Sequence, residues 1–536
     1  MTTGAQYVQY RRLHAPREDR TALIEPPAEQ VGDLLAANAA LRADYAYDVQ
    51  GRPLAVLAGQ ARQELLAQAR RWTAAYRDIA PATLDATTIL LAGHQPQLFH
   101  PGVWFKNFVL DQLARQHNAV AVNLIVDNDT VKHSSLLVPG GSPETPTAVS
   151  LPLDRSETPV PYEEWRIEDR ALFRSFGPRV AEQIAPLVPD PLVRQYWPMA
   201  ARRMCRTDNL GACLAQSRHQ LEGQWGLNTW EVPVSWLCQT ESFAWFLVHL
   251  VAQLPRFREA YNEVVQAYRH ANHIRSTAHP VPDLAAEGQW LEAPFWIWTE
   301  EEPQRRRLFV QQRADAIVLS DRQGLDVELP MRPDGDARRA VPRVVELTER
   351  GIKIRSRALI TTLWARLVLG DLFLHGIGGA KYDQVTDALI ARFFGLQPPR
   401  FMVVSATLYL PIPHRKTTAD DLHRVQQQLR ELTFHPELYL NGNDASAPQA
   451  LIAEKFRWIH TEPTPANSRQ RFFEIHRINE ALQPFVRVDR KRLEEERERI
   501  NHGLRAEGIL SSRDYAFCLY PADLLRECFA GLVPKA

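Results

Sequence analysis

Two short stretches of this sequence carry residue types that can hold and stabilise an anion. The first is Gly93-His94-Gln95-Pro96, completed by His100-Pro101-Gly102. It lies between an apolar run at 87–92 (TTILLA) and a segment with helical spacing, Trp104, Phe108, Leu110 and Leu113. Proline suits the first turn of a helix, so Pro101 marks a helix start. Free backbone N–H groups at such a start attract negative charge, and the two imidazoles add hydrogen-bond donors. Gly93 and Gly102 permit close backbone approach, and Gln95 is grouped with them as a cofactor-binding candidate. Lys106, in the first turns of the helix, either reaches the same anion or stays solvated. The second stretch is His375-Gly376-Ile377-Gly378-Gly379-Ala380-Lys381-Tyr382-Asp383. A glycine-rich turn before a helix cradles phosphate through backbone N–H groups, here at Gly376, Gly378 and Gly379. Lys381 can stabilise charge on a phosphoryl group.

Acidic residues lie near by in the pattern. A buried-type strand at 119–126 (AVAVNLIV) ends in Asp127-Asn128-Asp129. Two carboxylates at a strand mouth could hold a ribose, a substrate amine or a divalent cation, or could simply make a turn. His133 is a possible companion. The catalytic candidates are therefore His94, His100, Asp127, Asp129 and Lys381. Arg355 and Arg357, near a helix start, could bind a carboxylate or phosphate, or be ordinary surface arginines. No metal box of the H-E-x-x-H kind and no G-x-S-x-G elbow occur, and no metal ligands are assigned. Cys205, Cys213, Cys238, Cys518 and Cys528 form no C-x-x-C pair and read as reduced, mostly buried thiols, Cys238 being the least implausible nucleophile.

The elements that must position these residues follow an α/β order. Residues 1–84 read as a helical segment, with helices at 31–41 and 56–76. Residues 85–413 read as a Rossmann-like parallel sheet core with insertions at about 139–228 and 255–350. Strand 87–92, the histidine loop, its helix and strand 119–126 make one βαβ unit, and ligands of such sheets sit beyond the strands' C-terminal ends. A strand is expected at 231–238, with Ser242 as the cap of the next helix and a long helix over 257–274. A meander follows at 295–298, 307–310, 316–319 and 325–329. A helix at 356–368, a strand at 371–375, the glycine loop, a helix at 384–394 and a strand at 401–410 make a second such set. Residues 414–536 read as an Arg/Glu-rich helical hairpin, with arms at 420–432, 470–482 and 489–501, packed on the core or on a second subunit.

The bulk numbers exclude some functions. The 536 residues are too many for one ordinary core. Lys plus Arg and Asp plus Glu are 63 each, and this balance argues against a polynucleotide partner. The apolar run 243–254 is too short to cross a bilayer, and the N-terminus (Tyr10-Arg11-Arg12) lacks a signal-peptide core. A cytoplasmic protein with small-molecule substrates and no membrane partner is the expectation.

The histidine loop resembles the paired-histidine loop of nucleotidylyl transferases and class I aminoacyl-tRNA synthetases. More of the chain resembles the bacillithiol biosynthesis cysteine-adding enzymes, a family of cysteine ligases. Their TGQQ-x-x-LF-TGP loop is similar to Ala92-Gly93-His94-Gln95-Pro96-Gln97-Leu98-Phe99-His100-Pro101-Gly102, and their ExDHD-type motif to Asp127-Asn128-Asp129. Their IGGPGE loop is similar to Ile377-Gly378-Gly379-Ala380-Lys381-Tyr382. The helix before Arg275 and the meander with Arg305-Arg306-Arg307 also match in order and texture. The resemblance implies a Rossmann-type core, a C-terminal coiled coil through which two copies dimerise, and a ligase joining cysteine to the amino group of glucosaminyl malate. Such a reaction needs an activated carboxylate, which ATP or another adenine nucleotide at the paired loops would supply. His94 and His100 stand where the family has Gln and Thr, and Lys381-Tyr382 where it has Gly-Glu. These departures bear on substrate choice more than on fold. Two other readings remain: a nucleotidylyl transferase on a different metabolite, and a non-catalytic nucleotide-binding assembly or sensor protein.

Overall fold

The computed structural model describes residues 8, 13–79, 88–156, 158–279, 281–414, 416–440 and 446–534. Thr87 and the segment 10–12, both used above, lie outside them. The chain is a mixed α/β protein that divides into two compact units. The larger comprises 1–138, 150–409 and 513–536, and the smaller comprises Pro139–Val149 and Leu410–Ser512.

The larger unit is built on a six-stranded sheet. Its strands run in the order Thr21–Glu25, Met402–Thr407, Leu372–His375, Ile89–His94, Val120–Ile125 and Trp230–Pro233. Five are parallel, and the edge strand Thr21–Glu25 runs antiparallel to Met402–Thr407. The inner strands are nearly continuous runs of Val, Ile, Leu and Ala because both faces are covered, as parallel sheets require. The helix Pro101–Gln116 packs on four of these strands. It buries Trp104, Phe105, Val109, Leu110 and Leu113. A second, antiparallel sheet runs Asp326–Leu329, Ile317–Ser320, Arg306–Gln312, Trp290–Thr299 and Ile352–Ser356.

Several expectations are corrected here. The segment before residue 85 is not wholly helical, since Thr21–Glu25 is a strand of the main sheet. The run after Trp230 keeps strand geometry only to Pro233 and then turns into a short helix, Val234–Leu237. Thr240, rather than Ser242, caps the helix that follows, its hydroxyl accepting from the Phe243 N–H. The segment Ile352–Ser356 is a strand despite its charges, because Lys353 and Arg355 are paired with Glu164 and Glu163. Residues 513–536 belong to the larger unit, where Phe517 and Phe529 pack against Trp104.

Among the described residues the smaller unit holds four α-helices: Ala419–Phe434, Ser446–His460, Ser468–Leu482 and Arg487–Leu510. The first pairs with the fourth and the second with the third. The helix Ser446–His460 has no counterpart in the hairpin expected from sequence. Thr418 and Asp421 form a capping box at the start of the first helix. Val425, Leu432, Val486 and Leu493 make a small apolar core.

Candidate functional site

The centre of the parallel sheet is where its connections change direction. From Ile89–His94 the chain passes through the helix Pro101–Gln116 to Val120–Ile125 on one side. From Leu372–His375 it passes through the helix Ile377–Leu389 to Met402–Thr407 on the other. The two departing strands are neighbours, with Leu374 paired to Ala92. Connections that diverge from adjacent parallel strands leave a crevice beyond their C-terminal ends, the usual ligand position in such sheets. A cavity of about 730 Å³ lies there.

Both anion turns line it. Gly93, His94, Gln95, His100, Gly102 and Lys106 contribute from the first, and His375, Gly376, Gly378, Gly379 and Lys381 from the second. The second turn is not a loop. Gly376 is the cap of the helix Ile377–Leu389, so Gly378, Gly379 and Lys381 occupy its first turns. Gly376 offers no side-chain cap, and first-turn N–H groups have no partner within a helix. A Cβ on Gly376 or Gly378 would meet nothing within 4 Å, so the approach to these amides is open.

Each member of the first turn is held by a specific contact. His100 caps its helix, Nδ1 accepting from the Gly102 N–H at 3.1 Å, which leaves its proton on Nε2. Burial and the neighbouring Arg513 push its pKa down to about 4, so it is a neutral donor at physiological pH. His94 ends its strand with Nδ1 3.3 Å from the Gln95 carbonyl. Its environment, despite a face left open on the cavity, pushes its pKa down to about 3, burial being the larger cause and Lys106 the next. Lys106 is 2% exposed. Its ammonium donates to the Gly93 carbonyl at 2.6 Å, and no carboxylate is among the groups acting on it. Burial, with Arg218 adding, brings its pKa down to about 7. A buried amine without a counter-ion, facing a cavity, is suited to receive a negatively charged ligand.

No protein-family model matches this sequence, and neither does any curated protein. What the site can do is therefore read from its own geometry.

The acidic motif fans out in three directions. Asp127 does not line the cavity: its carboxylate accepts from the Ser235 N–H at 2.9 Å and from the Ser235 hydroxyl at 2.5 Å. Burial and Glu163 push its pKa up to about 7. It ties the ends of two neighbouring strands together and is withdrawn from the reacting set. Asn128 donates to the Ser356 carbonyl at 2.8 Å. Asp129 alone of the two carboxylates faces the cavity, accepting from Gln95 Nε2 at 3.0 Å and from Arg305 at 3.0 Å. His133 is exposed and is not part of the lining. Arg355 forms a buried two-pronged pair with Glu163, and Arg357 pairs with Glu292 at 2.7 Å; neither lines the cavity. Cys238 is buried, and desolvation pushes its thiol up to about 11, too protonated for a nucleophile.

Sequence reasoning missed Arg305, Trp296 and Arg513. Arg305 lies over the Trp296 ring, 4.8 Å from its centroid, and both line the cavity. Arg513 arrives from the C-terminal segment, donates to the Ala406 carbonyl at 3.1 Å, and has a buried Nε without a partner. Nothing in local spacing could place residue 513 beside residue 100.

Gly102 shows why the helix start sits so close to the sheet. A Cβ there would come within 2.1 Å of the Ala406 carbonyl oxygen, a backbone atom that cannot swing away. Gly102→Ala is expected to cost about 3 kcal/mol, the upper end of ordinary overpacking. Urea denaturation of the variant checks this; an unchanged midpoint would contradict the close approach.

Proposed function

We propose that the larger unit is a Rossmann-like nucleotide-dependent ligase that forms a C–N bond between an amino acid and an amino-sugar acceptor. The reading follows the resemblance to the cysteine-adding enzymes of bacillithiol biosynthesis and takes the chain as a cytoplasmic, divergent relative. One observation carries the nucleotide part: two helix starts, approached from opposite directions, line one cavity with an unpaired buried lysine between sheet and helix. Phosphate oxygens would accept from the first-turn amides, from His100 Nε2 and from Lys106, while His94, whose Nδ1–H faces the Gln95 carbonyl, would accept from a ligand hydroxyl or amine at Nε2. The aromatic and aliphatic lining, Trp296, Leu124, Val126 and Phe373 among it, suits a nucleobase or the acyl part of a substrate. Asp129, already facing Arg305, would hold the acceptor's amine or hydroxyl groups.

Isothermal titration with ATP, ADP and AMP tests the nucleotide part, and heats at dilution level for all three would remove it. The double variant His94→Ala with His100→Ala is expected to weaken binding by roughly 1–3 kcal/mol if both rings hydrogen-bond to the ligand. Equal affinity would take the histidines out of the site. Loss of a low-molecular-weight thiol in a strain lacking the gene would support the amino-sugar ligase, whereas an intact bacillithiol pool would remove that specific activity.

The smaller unit is proposed as a coiled-coil-like helical hairpin through which two copies associate. Phe472 and Phe473 are 65% and 57% exposed on one of its helices. Exposed aromatic pairs of this kind mark interaction surfaces. Sedimentation should give a dimer that Phe472→Glu with Phe473→Glu converts to monomer; a monomeric parent protein would contradict it. Among the described residues no helix is long and apolar enough to cross a membrane.

A further inference from the structure

His375 ends its strand beside Gly93 of the neighbouring strand, at the diverging point of the sheet. Its Nε2 lies 2.8 Å from Asp383 Oδ2, and the two side chains are 3% and 1% exposed. The approach is short but lies off the hydrogen-bond line, so Nε2 makes no aligned bond as it stands, and a small turn of the ring would let Nε2–H donate to Asp383. Asp383 is fixed in turn by Arg366, which also donates to Asp387 Oδ1 at 2.5 Å and to the Pro399 carbonyl. Burial alone would raise the Asp383 pKa, but Arg366 and His375 hold it well below the usual carboxylate range. With the proton on Nε2, the free lone pair of the ring is on Nδ1. Nδ1 is turned toward the start of the helix Ile377–Leu389, where a Cβ on Gly379 would come within 2.9 Å of it. His375 lines the cavity. A histidine whose far nitrogen lies against a fixed carboxylate, and whose other nitrogen is at the helix start that lines a cavity, is placed to accept a proton.

We propose that His375, oriented by Asp383 and Arg366, is the proton acceptor for the nucleophile that reacts in the cavity. The inference rests on the ligase reading above and names its catalytic base. The acceptor amine attacks a carboxyl carbon activated as an acyl phosphate or acyl adenylate. The C–N bond forms, the bond from that carbon to the phosphate oxygen breaks, and phosphate or AMP leaves with the electron pair. The proton lost by nitrogen goes to Nδ1, while Nε2–H remains on Asp383, which stabilises the imidazolium without taking its proton. The ring is neutral at rest, because burial, helped by Arg366 and Lys106 against the opposing pull of Asp383, lowers its pKa. His100 then acts as a donor to the ligand, and His375 as the base.

Diethyl pyrocarbonate acylates bare imidazole nitrogens, and peptide mass mapping follows each histidine separately. In the full-length protein His375 should be modified at a rate within tenfold of the exposed His133. Asp383→Asn should slow His375 at least tenfold without changing His133, since an asparagine amide can donate to the ring and reverse its tautomer. An inert His375, or equal rates in the variant, would overturn the proposal. If Asp383→Asn fails to fold, ¹⁵N spectra of histidine-labelled wild-type protein decide the matter: Nε2 protonated and Nδ1 bare supports it, the reverse tautomer sinks it. In a ligase assay with ATP, cysteine and glucosaminyl malate, His375→Ala should lose 100-fold or more in kcat with little change in KM. Added imidazole should restore part of the rate, and a variant as fast as wild type would end the assignment. Wild-type protein without turnover, but with a reactive, Nε2-protonated His375, would count against the ligase reading and not against the proton acceptor.

Discussion

Lys106→Met is expected to make the protein more stable while weakening nucleotide binding about 100-fold. Lys106 is 2% exposed, and its ammonium donates to the Gly93 carbonyl at 2.6 Å. Its pKa falls from 10.5 to about 7, burial being the larger cause and Arg218 the second. Between those two values the unfolded chain holds a proton that the folded chain gives up, so stability rises with pH across that window. Below pH 7 the penalty is complete, on the order of 3–5 kcal/mol. Methionine fills similar volume without the charge, leaving one unpaired carbonyl at about 1 kcal/mol, so the net gain near pH 7 is about 3 kcal/mol. Urea denaturation at pH 7 and pH 9.5 checks this: the wild type should gain on going up and the variant should not. A nucleotide would bring Lys106 the counter-ion it lacks, with uptake of a proton. Affinity should therefore fall as pH rises above 7, by up to tenfold per unit, and the variant should lack that slope.

Arg218→Met should do the opposite, at a loss of about 3–5 kcal/mol. Arg218 lies wholly inside the larger unit between Glu222 and Glu231, at 2.6 and 2.5 Å. Trp104 and Asn107 also donate to the bound oxygen of Glu222, and Asn123 to that of Glu231. His219, pushed down to about 3 by burial, is neutral: its Nε2–H donates to the Thr229 carbonyl, and Nδ1 accepts from the Tyr76 hydroxyl. His219, Glu222 and Glu231 place donor atoms within 4.8 Å of one another, a spacing a metal could use. The guanidinium already bonds both carboxylates, and we assign the cluster to the core. Without it two buried carboxylates face each other uncompensated, and at least one takes a proton. The folded variant then holds a proton the unfolded chain releases at neutral pH, so its deficit should narrow as pH falls toward 5. A triple variant with Glu222→Gln and Glu231→Gln should recover most of the loss; no recovery would mean the arginine acts through packing alone. Trp104 and Asn107 sit on the helix that presents Lys106, so this cluster also sets the cavity wall.

Periodicity made the inner sheet legible. The strands Ile89–His94 and Val120–Ile125 are mostly apolar because both faces are covered, and the sequence marks the turns that follow them as the place to look for a site. The two strand–helix–strand sets were legible for the same reason. The edge strand Thr21–Glu25 was not, since its partner Met402–Thr407 lies some 380 positions away and its half-buried TALIE has no alternating pattern. Ile352–Ser356 escaped because Lys353 and Arg355 read as solvated until Glu163 and Glu164 are placed against them. At the site, sequence brought forward the backbone-driven part: glycines, the proline and the histidines of two helix starts. It placed Asp127 in the cavity because adjacent residues share a strand end, whereas a strand end splays its side chains and Ser235 captures this one. Arg513, Arg305 and the Asp383–Arg366 support of His375 are long-range or helix-internal pairings that no local spacing encodes.

The most direct test of the central claim is a crystal structure of the protein with ADP bound. Phosphate oxygens should lie within hydrogen-bonding distance of the Lys106 ammonium and of backbone amides between residues 377 and 379. A nucleotide seated elsewhere, with Lys106 still turned to the Gly93 carbonyl, would show that the two helix starts do not share a guest.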